Sequence, residues 1–396
     1  MTENIINKIH NDIEKLSGEL IDLRRDFHQY PELGFNEFRT SKKVADYLKA
    51  IGLEVETEIA RTGVVGLLRG DKGGKTLLVR ADMDALPIKE ETGLPYASKN
   101  EGIMHACGHD GHTAIQLITA KIISNYKDLI KGNIKFAFQP NEEDAGAEDM
   151  IKDGVLNDPE VDGALGLHLW TPLKTGEIGI KSGPLMAASE YFKVVLKGPG
   201  GHGGAPHKTI DPVHTAASII NRLQTIETRN FDVINEPTII TTCKLKASDF
   251  PIIISPEVTF EGSIRTLHDK MNQVKANFEN IVRKESEIDG LEYEISFKCG
   301  NRLVSNNPEM TELVTSAINS TKDQLNIKDK NIAVMLGEDF SEFSLRVPST
   351  FYFVGTGNKD KETDYPHHHP KFNIDEDSLK IAVKTQLLSI LKYFNN

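Results

Sequence analysis

Cys107, His109 and His112 fall within six residues of one another, with Gly108 and Gly111 between them. Glycine lets the backbone fold tightly around a centre. A thiolate beside imidazoles suits zinc or another late divalent ion. The segment is not a Cys-x-x-Cys finger, which argues against a closed structural site. A buried thiol with two helix-start histidines and no metal is the plain alternative. Glu142 and Glu143 are adjacent carboxylates, which repel each other unless a cation lies close. One of them can then hold a metal while the other takes a proton from the activated water. A solvated acidic helix start would explain the pair equally simply. His168 follows an apolar run, where a lone histidine is more often a core residue than a ligand. His367, His368 and His369 lie between Tyr365-Pro366 and Pro370, far from Asn396, so they are no terminal tag. One of the three is a candidate last donor.

The elements that must position these groups can be read from periodicity. Lys75-Thr-Leu-Leu-Val-Arg80 reads as a buried strand ending in Asp82 and Asp84. Asn133 to Phe138 is a second strand ending in Glu142 and Glu143, and Asp162 to Leu167 a third ending at His168. Helices are expected over 112–126 and 146–153, between and after these strands, which implies crossover units and a largely parallel sheet. Ligands of open α/β sheets bind outside the carboxyl ends of the strands, so all these donors converge on one rim. Ile5 to Leu23 and Thr40 to Ile51 read as helices before the sheet. Asn307 to Gln324, the strand Ser349 to Val354 and the helix Ser378 to Tyr393 complete it.

Between 187 and 300 the pattern changes. Strands at 191–197, 238–246, 257–265 and 291–298 alternate with helices at 211–229 and 271–288 in the order β-α-β-β-α-β, the split ferredoxin-like arrangement. This predicts a discontinuous larger domain, 1–186 with 301–396, and an inserted domain, 187–300. The insert carries a glycine-rich loop, Gly198-Pro-Gly-Gly201-His202-Gly-Gly-Ala-Pro-His207, without the strand–helix setting of a phosphate loop. It is either a flexible linker or a device that brings an imidazole to a developing oxyanion. Arg265, at a strand end, is either a fork for a substrate carboxylate or half of a surface ion pair.

The 396 residues carry 46 Lys and Arg against 58 Asp and Glu, a net charge of −12, which disfavours a nucleic-acid binder. No apolar run is long enough to span a membrane. Three cysteines make a poor disulfide framework, and no apolar leader opens the chain. A cytoplasmic protein with reduced thiols is expected.

Taken together, the motifs resemble the metal-dependent amidohydrolase branch of the aminoacylase/carboxypeptidase metallopeptidase family. The matching stretches are Arg24-Arg-Asp-Phe-His28, Pro31-Glu-Leu-Gly-Phe35, Arg80-Ala-Asp-Met-Asp-Ala-Leu-Pro87, Met104 to His112, Phe138 to Glu143, Gly166-Leu-His168, Gly200-Gly-His202, Gly337-Glu-Asp-Phe-Ser341 and His368-His-Pro370. They follow the family order along nearly the whole chain. The resemblance implies a three-layer α/β catalytic domain with a mostly parallel sheet and an inserted ferredoxin-like α+β lid that mediates dimerisation, with a tetramer as the further option. It implies two divalent ions, zinc or manganese with cobalt or nickel as alternatives, held by Cys107, His109, Glu143, His168 and His368. Glu142 would be general base, with Asp84 beside the reaction and His202 reaching the partner subunit's site. Asp82, Asp110 and His112 would support the ligands from behind, and Arg265 and His207 would bind substrate. The implied substrate is a small N-acyl amino acid, with short peptides as the near alternative and non-catalytic ligand capture as the distant one. Asn141, the run Asp144-Ala-Gly146 and Ile253 depart from the family pattern, Ile253 where many members carry a substrate-holding asparagine.

Overall fold

Leu77, Leu78, Val79 and Ala81 are all buried in the strand Lys72–Asp82, so that strand is covered on both faces. Such unbroken apolar runs belong to the interior of parallel sheets. The structure, a computed structural model, describes residues 3–320 and 325–395. The run lies in an eight-stranded sheet of order Glu54–Ile59, Gly63–Arg69, Lys131–Gln139, Lys72–Asp82, Gly163–Lys174, Ser349–Gly357, Glu177–Gly179 and Asn326–Lys328. The four strands from Lys131–Gln139 to Ser349–Gly357 run parallel, and antiparallel pairs flank them. Leu165, Leu167 and Leu169 face a core shared with the helices Glu3–Gln29, His109–Ile123 and Asp377–Phe394. Gly166 faces the other way, where a Cβ would stand 2.6 Å from the Phe351 ring and 2.9 Å from Phe340. Its near neighbour His168 therefore leaves the sheet on the side away from those helices.

Two compact units divide the chain: Met1–Leu185 with Ser305–Ile332 and Asp339–Asn396, and Met186–Val304 with Ala333–Glu338. In the second, the antiparallel strands Thr238–Lys246, Glu257–Thr266, Ala188–Lys197 and Glu292–Cys299 pair in that order. The helices Pro212–Arg229 and Met271–Asp289 bury Ile219, Leu223, Val274, Phe278 and Val282 against Phe192, Val194, Leu196, Phe260 and Ile264. Asp211 caps the first of these helices, its side chain accepting from the Val213 amide, and Pro212 opens it. The segment 333–338 joins this unit through a bridge between Met186 and Val334 and the Ala187 amide donating to Leu336 O.

Local differences from the sequence reading have physical causes. The helix expected from His112 begins at His109, because Gly108 takes a left-handed φ of 94° and its carbonyl accepts from the amides of Gly111 and His112. The same helix ends at Ile123 and passes into a 3-10 turn, Ser124–Leu129. The hairpin Glu54–Ile59/Gly63–Arg69 was not expected. Its turn has no glycine, asparagine or proline to announce it, and instead puts Ala60 and Arg61 at φ of 48° and 74°. The helix expected over 307–324 spans Pro308–Asn319, and residues 321–324 lie outside the described residues. Among the described residues, no helix is long and apolar enough to cross a membrane.

Candidate metal centre

Asp82 ends its strand and Asp84 follows two residues later, both buried. Asp84 receives His109: the ring Nδ1 lies 2.9 Å from the backbone carbonyl and 3.2 Å from Oδ1. That fixes the His109 proton on Nδ1 and leaves Nε2 buried without a hydrogen-bond partner. An imidazole held this way is the usual form of a metal ligand. Asp82 receives His112 Nδ1 at 2.6 Å, but His112 Nε2 is already used, accepting from the Leu169 amide at 2.8 Å. His112 is thus a brace between two strands, with no nitrogen left to ligate.

His168 Nδ1 donates to Leu169 O at 2.7 Å, and its Nε2 lies 3.5 Å from Cys107 Sγ. His368 is brought to the same place from the far end of the chain. Its amide donates to Ala106 O at 2.8 Å, its backbone takes a left-handed φ of 63°, and its Nε2 lies 3.2 Å from Glu143 Oε1. Its neighbours do other work: His367 Nε2 donates to Leu169 O at 3.0 Å and stacks on Trp170, while His369 stacks on Tyr365 and accepts from the Lys371 amide. Three sets of potential donors lie within 4.8 Å of one another: Cys107–His109–His168, Cys107–Glu143–His368 and His109–Glu142–Glu143. Cys107 is common to two of them. Asp82, His109 and His112 lie equally close together, but both His112 nitrogens are committed.

The electrostatics favour positive charge at the centre. Burial alone would lower His109, yet the charges of Asp82 and Asp84 carry it up to about 10, so without a metal Nε2 too holds a proton, which a bound cation would displace. Burial would raise Asp82, but His109, Arg80 and His112 hold its carboxyl well below the usual range. Burial, reinforced by His112 and His367, pushes His168 down, so its ring is neutral with a lone pair to donate. Mixed thiolate, imidazole and carboxylate donors around an orphaned Nε2 suit a late divalent ion.

Asp110 is not beside these ligands. Its Oδ2 accepts from Arg24 Nε and His28 Nδ1, each at 2.8 Å, in a buried cluster where Arg24 also reaches Glu376 and Asn373. One residue along the helix from His109 turns its side chain about 100° away, toward the N-terminal helix. His202, His207 and Arg265 belong to the second unit. His202 is exposed on the short strand Gly201–His202 paired with Ile253–Ile254, and its Nδ1 accepts from the Gly204 amide at 2.9 Å. His207 is exposed in the turn Pro206–Lys208, and Arg265 Nη1 donates to Met335 O at 2.9 Å.

The sequence reading gave no role to Arg80, Gln139 and Asp339. Arg80 donates to Gln139 Oε1 at 2.8 Å, Asp82 Oδ2 at 2.6 Å and Asp339 Oδ1 at 2.9 Å. Asp339 Oδ2 in turn accepts from the Ala147 amide at 2.8 Å. A full charge inside an apolar strand run was the available signal.

Residues 78–392 match the model of peptidase family M20/M25/M40. Thermostable carboxypeptidase 1 of Saccharolobus solfataricus is 38% identical over 99% of this chain and 100% of its own length. An N-acyl-L-amino acid amidohydrolase of Geobacillus stearothermophilus is 40% identical over 78% of this chain and 83% of its own. The crystal structure of the Bacillus subtilis YXEP protein, described as a dinuclear metal binding peptidase of the M20 family, superposes with a TM-score of 0.85 at 30% identity, covering 96% of this chain and 99% of that one. The fold and site thus define a hydrolytic enzyme. The chain belongs to peptidase family M20/M25/M40, which bears out the resemblance carried by its motifs.

The Asp110 cluster yields a stability prediction. Burial would raise the Asp110 carboxyl, but Arg24 and His28 drive it far below the usual range. A depressed carboxyl stabilises the fold fully above its unfolded value, about 3.9, and loses that contribution as pH falls toward the folded value. Asp110→Ala should cost about 3 kcal/mol at pH 7, since it leaves buried charge uncompensated. Denaturant melts of both proteins, compared at pH 7 and at pH 3, should show the difference shrinking in acid.

Proposed function

We propose that this enzyme hydrolyses the amide bond of N-acyl amino acids with two divalent ions held by Cys107, His109, Glu143, His168 and His368. The observation that carries this reading is the pair of donor triads sharing Cys107, with Glu142 next to them. Shared thiolate and imidazole donors favour zinc; manganese, cobalt or nickel are the alternatives. Bound ions would polarise the amide carbonyl and make a coordinated water more acidic. Glu142, 8% exposed, takes the proton of the attacking water and passes it to the departing amine, serving as base and then as acid. Asp84 keeps His109 in the correct tautomer and accepts from the Glu143 amide at 3.1 Å, so it holds two of the five donors. The products are a carboxylic acid and a free amino acid.

With Nδ1 of His202 occupied as an acceptor, its proton resides on Nε2, the form needed to donate to an oxyanion. In this reading the smaller unit is a lid that dimerises, His202 acts in the partner subunit's site, and Arg265 and His207 meet the substrate carboxylate. A sparse, odd set of three cysteines fits a reducing cytoplasm. Cleavage of short peptides is the second reading, favoured by the relative named thermostable carboxypeptidase 1.

A panel of N-acetyl and N-benzoyl amino acids set against short peptides separates the two readings. Chelator should abolish turnover of whichever substrate is preferred; turnover untouched by EDTA would contradict the metal mechanism. Glu142→Gln should lose activity while the bound metal stays, and a variant as fast as the parent would remove Glu142 from the role of base. His202→Ala should cut kcat about a hundredfold, the scale of one lost oxyanion donor. Light scattering should show a dimer, and a fully active monomer would end the lid assignment.

A further inference from the structure

The loop bearing Glu142 is held in an unfavourable backbone. Asn141 has φ 54° and ψ 46°, Ala145 has φ 66° and ψ 52°, and neither is glycine. Such residues persist only where their surroundings enforce them. Three carboxylates grip the loop by its amides. Asp84 takes Glu143 N–H, Asp339 takes Ala147 N–H, and Glu37 Oε1 takes Asn141 N–H at 2.9 Å. Asp84 sits against His109 and Asp339 against Arg80. Glu37 differs from both.

Glu37 is fully buried at the start of the helix Phe38–Ala50. The free amides of that helix start, Arg39 and Thr40, are capped by Glu32 at 3.0 and 2.8 Å. The Glu37 carboxylate is turned to other partners. Its Oε2 accepts the Thr62 hydroxyl at 2.5 Å while Oε1 accepts from Asn141. Asn141 itself lies flat on Gly34, where a Cβ would stand 1.9 Å from its Oδ1. The groups facing Glu37 are thus the Thr62 hydroxyl, the amides of Asn141 and of Glu37 itself and, further off, the Asp84 charge. Burial raises its carboxyl to about 7, with Asp84 adding to the rise against the bonds from Thr62 and Asn141. A buried acid in so costly a place calls for a function, because an apolar residue would pack there without the desolvation penalty.

We propose that Glu37 is a positioning residue: by holding the Asn141 amide it aims Glu142 at the reacting water. The proposal rests on Glu142 being the general base. What the loop needs from residue 37 is a fixed acceptor at Asn141, not a charge, so a neutral amide of the same length can stand in.

Kinetics of Glu37→Ala, Glu37→Gln and Glu37→Asp test this on the metal-loaded enzyme. Glu37→Ala should lower kcat by ten- to a hundredfold, the scale of a misplaced catalytic group, with KM and metal content unchanged. Glu37→Gln should recover kcat to within about threefold of the parent. Should the alanine variant fail to fold, Glu37→Asp keeps the charge but falls one methylene short, and it should lose kcat about tenfold. Parent-like kcat in Glu37→Ala or Glu37→Asp overturns the proposal. So does a Gln variant as slow as the Ala variant, because the charge rather than the acceptor would then be what matters. An inactive Glu37→Ala that has also lost metal would make Glu37 a structural support and overturn it too. Failure of the base assignment shows separately, as turnover surviving in Glu142→Gln.

Discussion

Two carboxylates at the end of one buried strand organise the centre. Asp84 accepts a hydrogen bond from His109 Nδ1–H, and Asp82 accepts one from His112 Nδ1–H. A ring nitrogen that donates to a carboxylate leaves the other as a lone-pair donor with its direction fixed. The difference between the two histidines then lies in what the second nitrogen meets. For His112 it is the Leu169 amide, and for His109 it is the open centre among Cys107, Glu142 and Glu143. The same kind of residue on the same helix becomes a brace in one case and a candidate ligand in the other.

Buried acids on this scale need compensation, because desolvating an unpaired charge is costly. Arg80 supplies it from within the sheet. One guanidinium joins Asp82 to Asp339, and Asp339 continues to the amide of Ala147, just beyond the loop of Glu142 and Glu143. The ligands' support and the loop's position therefore belong to one hydrogen-bonded network. Left-handed backbone at Gly108, Asn141 and His368 supplies the sharp turns that point side chains inward from three separate segments. For the two non-glycine positions the strain is of order 1–3 kcal/mol each, held by tertiary bonds such as His368 N–H to Ala106 O.

Much of this was legible in the sequence. Apolar runs ending in acids and a histidine gave the parallel strands and the rim on which Asp82, Glu143 and His168 meet. Alternation gave the β-α-β-β-α-β order of the smaller unit. The choice of His368 among three adjacent histidines came only from the resemblance; the bond that draws His367 to Leu169 is tertiary, while His369 is engaged locally by Tyr365 and Lys371. Asp110 was expected behind the ligands; helical rotation turns its side chain to Arg24, a partner that nothing in the local sequence announces. Glu37 left no trace, because a glutamate at a helix start ordinarily reads as a cap. The hairpin at 54–69 was hidden by a turn without turn residues.

Metal stoichiometry tests the central claim most directly. The two donor triads meet at Cys107, so the reconstituted parent chain should retain two divalent ions after desalting. Cys107→Ala should retain fewer than one, with the fold intact by circular dichroism. A parent that keeps none, or a Cys107→Ala variant that keeps both as tightly, would contradict the account.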